Sequence, residues 1–353
     1  MIISRTPFRI SFFGGGTDYP AWYRRHGGAV LSTTIDKYCY LTCRYLPPFF
    51  EHRIRVVYSK IETCQRPEEV SHPAVREVLK FVKLDRGVEI HHDGDLPARS
   101  GMASSSAFTV GLLHALYALK GQMPTKHQLA MDGIFLEQER LRETVGSQDQ
   151  VSAAYGGFNH IAFAREGEIS VAPITLSADR VRALNGNLQL YFTGVNRTAS
   201  DIAGSYLDEA AGREATLRAL GAQVGAAMDV LRGGDLDDFG RLLHEAWQLK
   251  RALGARVSNP HVESIYDAAR DAGALGGKLL GAGGGGFLVL YVPPAAQARV
   301  RERLAPLLHV PFRFESSGSQ IIFFDHETDY AAEDRPPAVP RRFRELGDAE
   351  GTR

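Results

Sequence analysis

The sequence predicts an α+β fold in two halves, and three observations lead to that prediction. The first half starts with strand-like segments and ends with the pattern of a β-hairpin, 155–164 followed by 169–174. In the second half, a strand, a helix and two further strands follow a glycine-rich run and make a βαβ-type unit with antiparallel pairing. A loop-rich stretch at 177–187 separates the halves. The expected domains are therefore 1–180 and 181–325.

Each element follows from a local pattern. Strands are expected where β-branched and aromatic residues run between turn residues, and helices where apolar residues recur at helical spacing. The expected strands are 2–13, 38–45, 53–58, 87–92, the hairpin pair, 188–193, 287–292, 311–315 and 320–324. The expected helices are 73–82, the one that the serine-rich segment 96–107 leads into, the one that Thr125 caps, 210–231, 236–253, 260–272 and 295–307. The polar segment 326–353 is expected to be an extended tail.

The composition indicates a globular protein with a small-molecule partner. The chain has 353 residues and 44% hydrophobic content, enough to bury a full core. Its 41 Lys and Arg residues balance 41 Asp and Glu residues, so no net positive field exists to hold a nucleic acid or an anionic membrane. The partner is therefore expected to be neither of these, and the chain is expected to be a monomer or a homodimer.

The cysteines and the first residues favour a cytoplasmic enzyme. Cys39, Cys43 and Cys64 are odd in number and lack the spacing of a zinc site, so we expect reduced, packed thiols. The segment 1–5 passes directly into strand-like sequence without the apolar region of a signal, and no run reaches the length of a membrane span.

The first candidate site is the end of the first predicted strand. Gly15 and Gly16 allow backbone to approach a ligand closely, and Asp18 supplies a carboxylate beside them. The alternative is a flexible turn with a solvated aspartate. Arg9 argues against that alternative, because an arginine flanked by apolar residues in a strand is costly unless it meets an anion or a carboxylate.

The second candidate is a serine-rich loop that leads into a helix. The unpaired N–H groups and the positive dipole end of such a helix bind phosphate, and three serines add hydroxyl donors. An ordinary N-cap is the alternative, in which serine satisfies only the helix. The candidate nucleotide-binding residues are Pro97, Arg99, Ser100, Gly101, Met102, Ala103, Ser104, Ser105 and Ser106.

Two carboxylates follow this loop. Glu137 lies in a predicted helix, and Asp149 lies twelve residues later in a turn that contains glycine. Such a pair can serve as metal ligand and general base, respectively. The alternative is that Glu137 belongs to a solvated helix face with Glu139 and Arg140.

Together with the glycine run 281–286, these segments resemble the GHMP kinase superfamily, which includes galactokinase, homoserine kinase, mevalonate kinase and phosphomevalonate kinase. The resemblance covers roughly Arg5 to Phe324. It implies an N-terminal ribosomal-protein-S5-like domain and a C-terminal ferredoxin-like α/β sandwich, with ATP and Mg²⁺ as cofactors. No single segment identifies the superfamily, but the occurrence of all of them in this order along the chain does.

The resemblance also implies roles for individual residues. By position, Ser105 matches the serine that helps to hold Mg²⁺, Glu137 matches the carboxylate ligand and Asp149 matches the base. We expect Arg9 to stabilise Asp149 and the transferring group, while Asp18 orients sugar hydroxyls. Ala103 stands where the family has a glycine, which restricts the loop's backbone angles.

Within the superfamily, the segments 5–19 and 145–150 are most similar to those of the D-glycero-α-D-manno-heptose 7-phosphate kinases. Members of that family phosphorylate an anomeric hydroxyl, which gives a heptose bisphosphate for surface polysaccharide. Such a substrate carries its own phosphate, and Arg197 is a candidate to bind it. Further cations of the same chemistry are Arg24, Arg25 and Lys37.

Three other functions stay open. A sibling enzyme would act on a free sugar such as fucose or galactose. An isoprenoid-acid kinase or a related decarboxylase is disfavoured by Thr17-Asp18-Tyr19, which ends a sugar-type segment. A non-catalytic sensor on the same fold is disfavoured because it has no need of a base such as Asp149.

Overall fold

The computed structural model describes residues 1–194 and 210–326. The strands are β1 (Ile2–Phe13), β2 (Gly28–Tyr45), β3 (Ile54–Val57), β4 (Ile61–Cys64), β5 (Val88–Gly94), β6 (Phe158–Phe163), β7 (Ile169–Pro173), β8 (Leu188–Phe192), β9 (Gly276–Leu279), β10 (Phe287–Tyr291), β11 (Leu308–His309), β12 (Phe314–Glu315) and β13 (Gln320–Phe324). The helices are α1 (Pro20–His26), α2 (Pro73–Val82), α3 (Ser104–Leu119), α4 (Lys126–Phe135), α5 (Gln148–Tyr155), α6 (Ala178–Gly186), α7 (Ala210–Gly233), α8 (Leu236–Ala252), α9 (Pro260–Asp271) and α10 (Gln297–Arg303). The α+β prediction is confirmed.

The larger sheet contains nine of the strands in the described residues, with the order β13–β1–β2–β5–β3–β4 along its main path. Its pairs are antiparallel except that of β3 with β5. The long strand β2 pairs with β6 over Gly28–Thr33 and with β5 over Cys39–Tyr45. Helix α3 packs on β1 and β2, and its buried apolar side chains fix the position of its first turn.

The smaller sheet is wholly antiparallel in the described chain, with the order β11–β8–β10–β9. Helix α8 packs on β9 and β10, and it also contacts β1 and α7. The last two strands return to the larger sheet, where β12 pairs with β2 and β13 pairs with β1. The proposed boundary at 180/181 stays a prediction, and the predicted tail lies outside the described residues from 327 onward.

Several predicted elements need correction. The stretch 177–187 is helical rather than loop-rich, because the Ser177 side chain accepts a hydrogen bond from the Arg180 N–H and caps α6. The predicted helix at 295–307 is a 3₁₀ turn, Pro294–Ala296, followed by the short helix α10. The predicted turn around Asp149 is the first turn of α5. Helix α1 was not predicted.

No helix within residues 1–194 and 210–326 combines the length and the apolar character needed to cross a membrane. The three cysteines are free thiols, two of them buried on β2.

Candidate active site

A cavity of about 240 Å³ lies where the end of β1 meets the first turns of α3 and α5, the end of α8 and the glycine run after β9. We call it the central cavity. Its polar and charged lining side chains are Arg9, Ser11, Asp18, Tyr19, Arg99, Ser104, Ser105, Glu143, Gln148, Asp149, Lys250 and Lys278. Gly15 and Gly16 also line it, together with Gly101 and Gly281.

An ion pair between Arg9 and Asp149 lies in the central cavity. The Arg9 Nε–H donates to Asp149 Oδ1 at 2.8 Å, and Nη2 donates to Oδ2 at 3.0 Å. Arg9 Nη1 donates to the Gly101 carbonyl at 2.8 Å, which ties the pair to the serine-rich loop. Arg9 is 3% exposed, whereas the Asp149 side chain is 24% exposed. The carboxylate is therefore held in one orientation by a bidentate cation and still reaches the cavity.

Asp18 lies beside this pair and is not the solvated aspartate of a flexible turn. It is 1% exposed, and its Oδ1 accepts a hydrogen bond from the Gly16 N–H at 3.0 Å. Burial, with a smaller contribution from the charge of Asp149, raises the pKa of Asp18 to about 6. A Cβ on Gly146 would lie 1.8 Å from Asp18 Oδ2, so only glycine fits there.

We expect the Asp18→Asn variant to gain stability relative to the wild type as the pH rises. The folded-state pKa of Asp18 is raised from 3.8 to about 6, so the folded protein holds the proton more tightly than the unfolded chain does. The stability that this proton binding contributes to the wild type is fully present below pH 3.8 and is lost as the pH rises through 6, whereas asparagine does not titrate. Between pH 5 and pH 8 the difference in unfolding free energy should shift by about 1–2 kcal/mol. Urea unfolding at both pH values measures it. Parallel profiles for the two proteins would contradict the buried, proton-binding Asp18, and Asp229→Asn, at an exposed site, is the control.

The serine-rich loop ends in a helix whose first turn has no side-chain cap. Helix α3 begins at Ser104, and Ala103 at its N-cap makes no side-chain hydrogen bond. Ala103 has φ 63° and Arg99 has φ 58°, both in the left-handed region that costs a non-glycine residue roughly 1–2 kcal/mol. Ala103, which stands where the family has a glycine, therefore holds the loop in a backbone conformation that is strained for alanine. The first-turn N–H groups stay available to an anion.

The serine hydroxyls divide into two classes. Ser100 Oγ donates to the Pro97 carbonyl, and Ser104 Oγ accepts from the Arg99 N–H, so these two hold the loop closed. Ser105 is exposed in the central cavity, and within the described chain its hydroxyl makes no hydrogen bond. Ser105 is therefore the serine whose hydroxyl is available to bind a ligand. The other loop residues predicted to bind nucleotide but absent from the cavity lining are Pro97, Ser100, Met102 and Ser106.

Glu137 is fully buried in a π-helical turn, Leu136–Arg140, and is not part of a solvated helix face. Its Oε2 accepts hydrogen bonds from Ser106 Oγ at 2.8 Å and from Gln150 Nε2 at 2.5 Å. Its Oε1 has no hydrogen-bond partner, and burial raises the pKa of Glu137 to about 7. Glu137 does not line the central cavity, and its serine partner is Ser106 rather than Ser105.

The oxygen donors fit Mg²⁺ chemistry. Mg²⁺ keeps several waters and is usually bound by one or two carboxylates together with substrate phosphates. The free hydroxyl of Ser105 in the cavity lining and the unpartnered Oε1 of Glu137, which is buried outside that lining, are oxygen donors of this kind. No group of three or more His, Cys, Asp or Glu side chains in the described residues is placed to hold a metal ion by itself.

The serine-rich loop and the glycine run 281–286 contact each other through backbone. A Cβ on Gly101 would lie 2.6 Å from the Leu280 carbonyl oxygen, and a Cβ on Gly281 would lie 2.5 Å from Gly101 Cα. The Phe287 N–H donates to the Ser100 carbonyl at 3.3 Å. The glycines thus let the two loops pack closely enough to form one wall of the cavity.

The four cations predicted to bind a substrate phosphate are not found in the cavity lining of the described residues. Arg197 lies outside the described residues. Arg24 and Arg25 are in the last turn of α1 and, like Lys37, are absent from the cavity lining. Lys37 Nζ instead pairs with Asp36 at 3.1 Å.

Three charged residues of the cavity, Glu143, Lys250 and Lys278, were not singled out from the sequence. The sequence carries a signal for one of the two lysines, since Lys250 continues the apolar spacing of Leu243, Ala246 and Trp247 on α8. The burial of Lys278 is known only from the structure, because Gly276–Leu279 was not predicted as a strand. A lysine on a buried face is a candidate for function. Nothing in the sequence distinguishes Glu143 from an ordinary charged surface residue.

Two family models match the chain. The model of the GHMP kinases N-terminal domain matches residues 70–157, and the model of the GHMP kinases C-terminal domain matches 227–307. Among curated proteins, the D-glycero-alpha-D-manno-heptose 7-phosphate kinase of Campylobacter jejuni is 29% identical over 83% of this chain and 90% of its own length. The L-fucokinase/L-fucose-1-P guanylyltransferase of Bacteroides fragilis is 27% identical over 86% of this chain, which spans 36% of that longer protein.

A solved structure supports the fold. The crystal structure of a D-glycero-D-manno-heptose 1-phosphate kinase from Bacteriodes thetaiotaomicron superposes with a TM-score of 0.76 and 23% identity, over 92% of this chain and 100% of that one. The two family models lie in the predicted order, and the resemblance found from the motifs is confirmed. The chain therefore belongs to the GHMP kinases, and it is an ATP-dependent kinase of that family.

Proposed function

We propose that this protein transfers the γ-phosphoryl group of ATP to the anomeric hydroxyl of D-glycero-D-manno-heptose 7-phosphate and so makes the 1,7-bisphosphate. The observation that carries the proposal is the Arg9–Asp149 pair, bound to the Gly101 carbonyl beside the uncapped start of α3. The heptose 7-phosphate kinase of Campylobacter jejuni, which matches most of the chain, supports the choice of sugar.

The transfer needs positioning and electrostatic stabilisation more than covalent catalysis. The N–H groups of the first turn of α3, with Arg99 and Ser105, bind the nucleotide phosphates. The anomeric hydroxyl attacks the γ-phosphorus as its proton passes to Asp149, and ADP leaves. Arg9 keeps the carboxylate oriented and offsets negative charge on the transferring group. Asp18, Gly15 and Gly16 form the sugar side of the cavity.

Mg²⁺ is part of the same proposal. Ser105 and Glu137 would hold the ion, and the ion would neutralise charge on the transferring phosphate. The free hydroxyl of Ser105 and the unpartnered oxygen of Glu137 support this assignment.

A second candidate is phosphorylation of a free sugar. The relative from Bacteroides fragilis includes an L-fucokinase, and the chain matches that protein over 350 residues. The catalytic groups would be unchanged, because Asp149 acts on a hydroxyl whichever sugar presents it.

The test is ATP consumption by the purified protein with Mg²⁺ and a panel of acceptors: heptose 7-phosphate, free heptose, fucose, galactose, mannose and mevalonate. We expect turnover with heptose 7-phosphate and at least a hundredfold lower kcat/KM with each of the others, because a site built to hold a polar group rejects analogues that lack it. Turnover on a free sugar with none on heptose 7-phosphate would support the second candidate and overturn the first.

A further inference from the structure

Two lysines in the central cavity have no role in the transfer described above. Lys250, near the end of α8, donates from Nζ to the carbonyls of Leu279 and Gly281 at 2.8 and 2.6 Å. Lys278, on β9, is 6% exposed and donates from Nζ to the Phe12 carbonyl at 3.0 Å. An ammonium group has three donors, so Lys250 retains one unused N–H and Lys278 retains two.

Neither lysine has an ion-pair partner in the part of the chain that the structure describes. The one carboxylate that stabilises the charge of Lys278 is Asp18, at longer range, while Arg9 opposes it. Arg9 and Lys278 in turn both oppose the charge of Lys250. Burial is the largest effect on both lysines: it lowers the pKa of Lys278 to about 7, and the pKa of Lys250 is also lowered.

Buried Lys278 and partly buried Lys250 lie near each other without a carboxylate ion-pair partner in the described chain, and this arrangement destabilises the ligand-free protein. Methionine or leucine at either position would fill the same space without that cost. Buried charge of this kind is typical of a site that is completed by an anionic ligand, and both side chains line the cavity in which the substrate would lie.

We propose that Lys250 and Lys278 form a phosphate-binding subsite that receives the phosphate carried by the sugar substrate. The proposal rests on the proposed function, in which the substrate is a sugar phosphate. A sugar phosphate is a dianion near neutral pH, and the three unused N–H donors of the two lysines match its oxygens. The subsite would distinguish a sugar phosphate from a free sugar.

The position of Lys278 favours the substrate over the nucleotide as the source of the phosphate. Its hydrogen-bond partner Phe12 is on β1, three residues before Gly15, and the carboxylate it faces is Asp18. Gly15 and Asp18 belong to the sugar side of the cavity in the proposed function. The nucleotide phosphates have their own donors in the first turn of α3.

The experiment compares wild-type enzyme with Lys278→Met and Lys250→Met in steady-state assays with heptose 7-phosphate and ATP. We expect the KM for heptose 7-phosphate to rise roughly ten- to hundredfold in each variant, as for loss of a hydrogen bond to a charged group. The KM for ATP should stay within about threefold. Lys80→Met, a half-exposed lysine on α2 that pairs with Glu77, is the matched control and should change neither constant.

Several outcomes separate the possibilities. An unchanged KM for heptose 7-phosphate, or a rise confined to the KM for ATP, overturns the subsite while the proposed function stands. Wild-type turnover on free sugars alone overturns the proposed function itself. Calorimetric titration of heptose 7-phosphate into the nucleotide-free proteins gives a readout that does not depend on turnover, and the Met variants should bind it at least tenfold more weakly.

Loss of folding is a separate outcome that unfolding measurements detect. Because Lys278→Met removes a buried cation without an ion-pair partner in the described chain, that variant should be at least as stable as the wild type without ligand. A variant that is stable and binds ATP but has lost affinity for the sugar phosphate supports the subsite. If Lys278→Met is unfolded, the same KM and calorimetric measurements are made on Lys278→Gln and Lys250→Met.

Discussion

Asp149→Asn is expected to lower kcat by roughly 10²- to 10⁴-fold while ATP still binds, because loss of a positioned general base has an effect of this size. Asparagine has the same shape and can accept one hydrogen bond from Arg9, but it cannot take the proton of the sugar hydroxyl. Assays of ATP consumption with heptose 7-phosphate measure the loss in turnover, and calorimetry with ATP measures binding.

The comparison with a matched carboxylate separates catalysis from folding. Asp179→Asn, in the first turn of α6, replaces a side chain that is 89% exposed and should leave kcat unchanged. A kcat for Asp149→Asn within threefold of wild type would remove Asp149 from the role of base. Loss of ATP binding together with turnover would instead show that the Arg9–Asp149 pair supports the serine-rich loop through the Gly101 carbonyl.

The fold and the main polar residues of the cavity were accessible from the sequence because their signals are local. Arg9 is flanked by apolar residues in a strand, so the need for a carboxylate partner could be stated before any partner was known. The serine-rich loop precedes a continuous apolar helix, which predicts a helix N-terminus at the surface of the core. Both predictions follow from a residue and its immediate sequence neighbours, without knowledge of the tertiary fold.

The remaining features depend on contacts between distant segments. Glu137 has the charged sequence neighbours of a solvated helix, but a π-helical turn directs it beneath the serine-rich loop onto Ser106 and Gln150. No local pattern predicts a single π-turn. Lys278 is separated from Phe12 by 266 residues, so its place beside the first strand requires the tertiary fold. Helix α6 was missed because its apolar periodicity is weak and one residue, Leu184, is buried.

Gly286→Ala is expected to destabilise the protein by about 2–4 kcal/mol, although the residue is not in the cavity lining. Its φ of 103° disfavours any side chain, and a Cβ would lie 2.2 Å from the Ser100 carbonyl oxygen. Backbone must therefore move, and the backbone that moves belongs to the serine-rich loop. Affinity for ATP should fall by at least tenfold, because the loop presents the phosphate-binding N–H groups.

The matched control is Gly225→Ala, in helix α7, where a Cβ would meet open space. That variant should gain about 0.5–1 kcal/mol of stability and keep its affinity for ATP. Chemical denaturation and ATP titration of both variants test the argument together. If Gly286→Ala were as stable as wild type and bound ATP equally well, the backbone contact between the two loops would not set the geometry of the phosphate site. If stability fell while ATP affinity in the folded fraction held, the contact would support the fold alone.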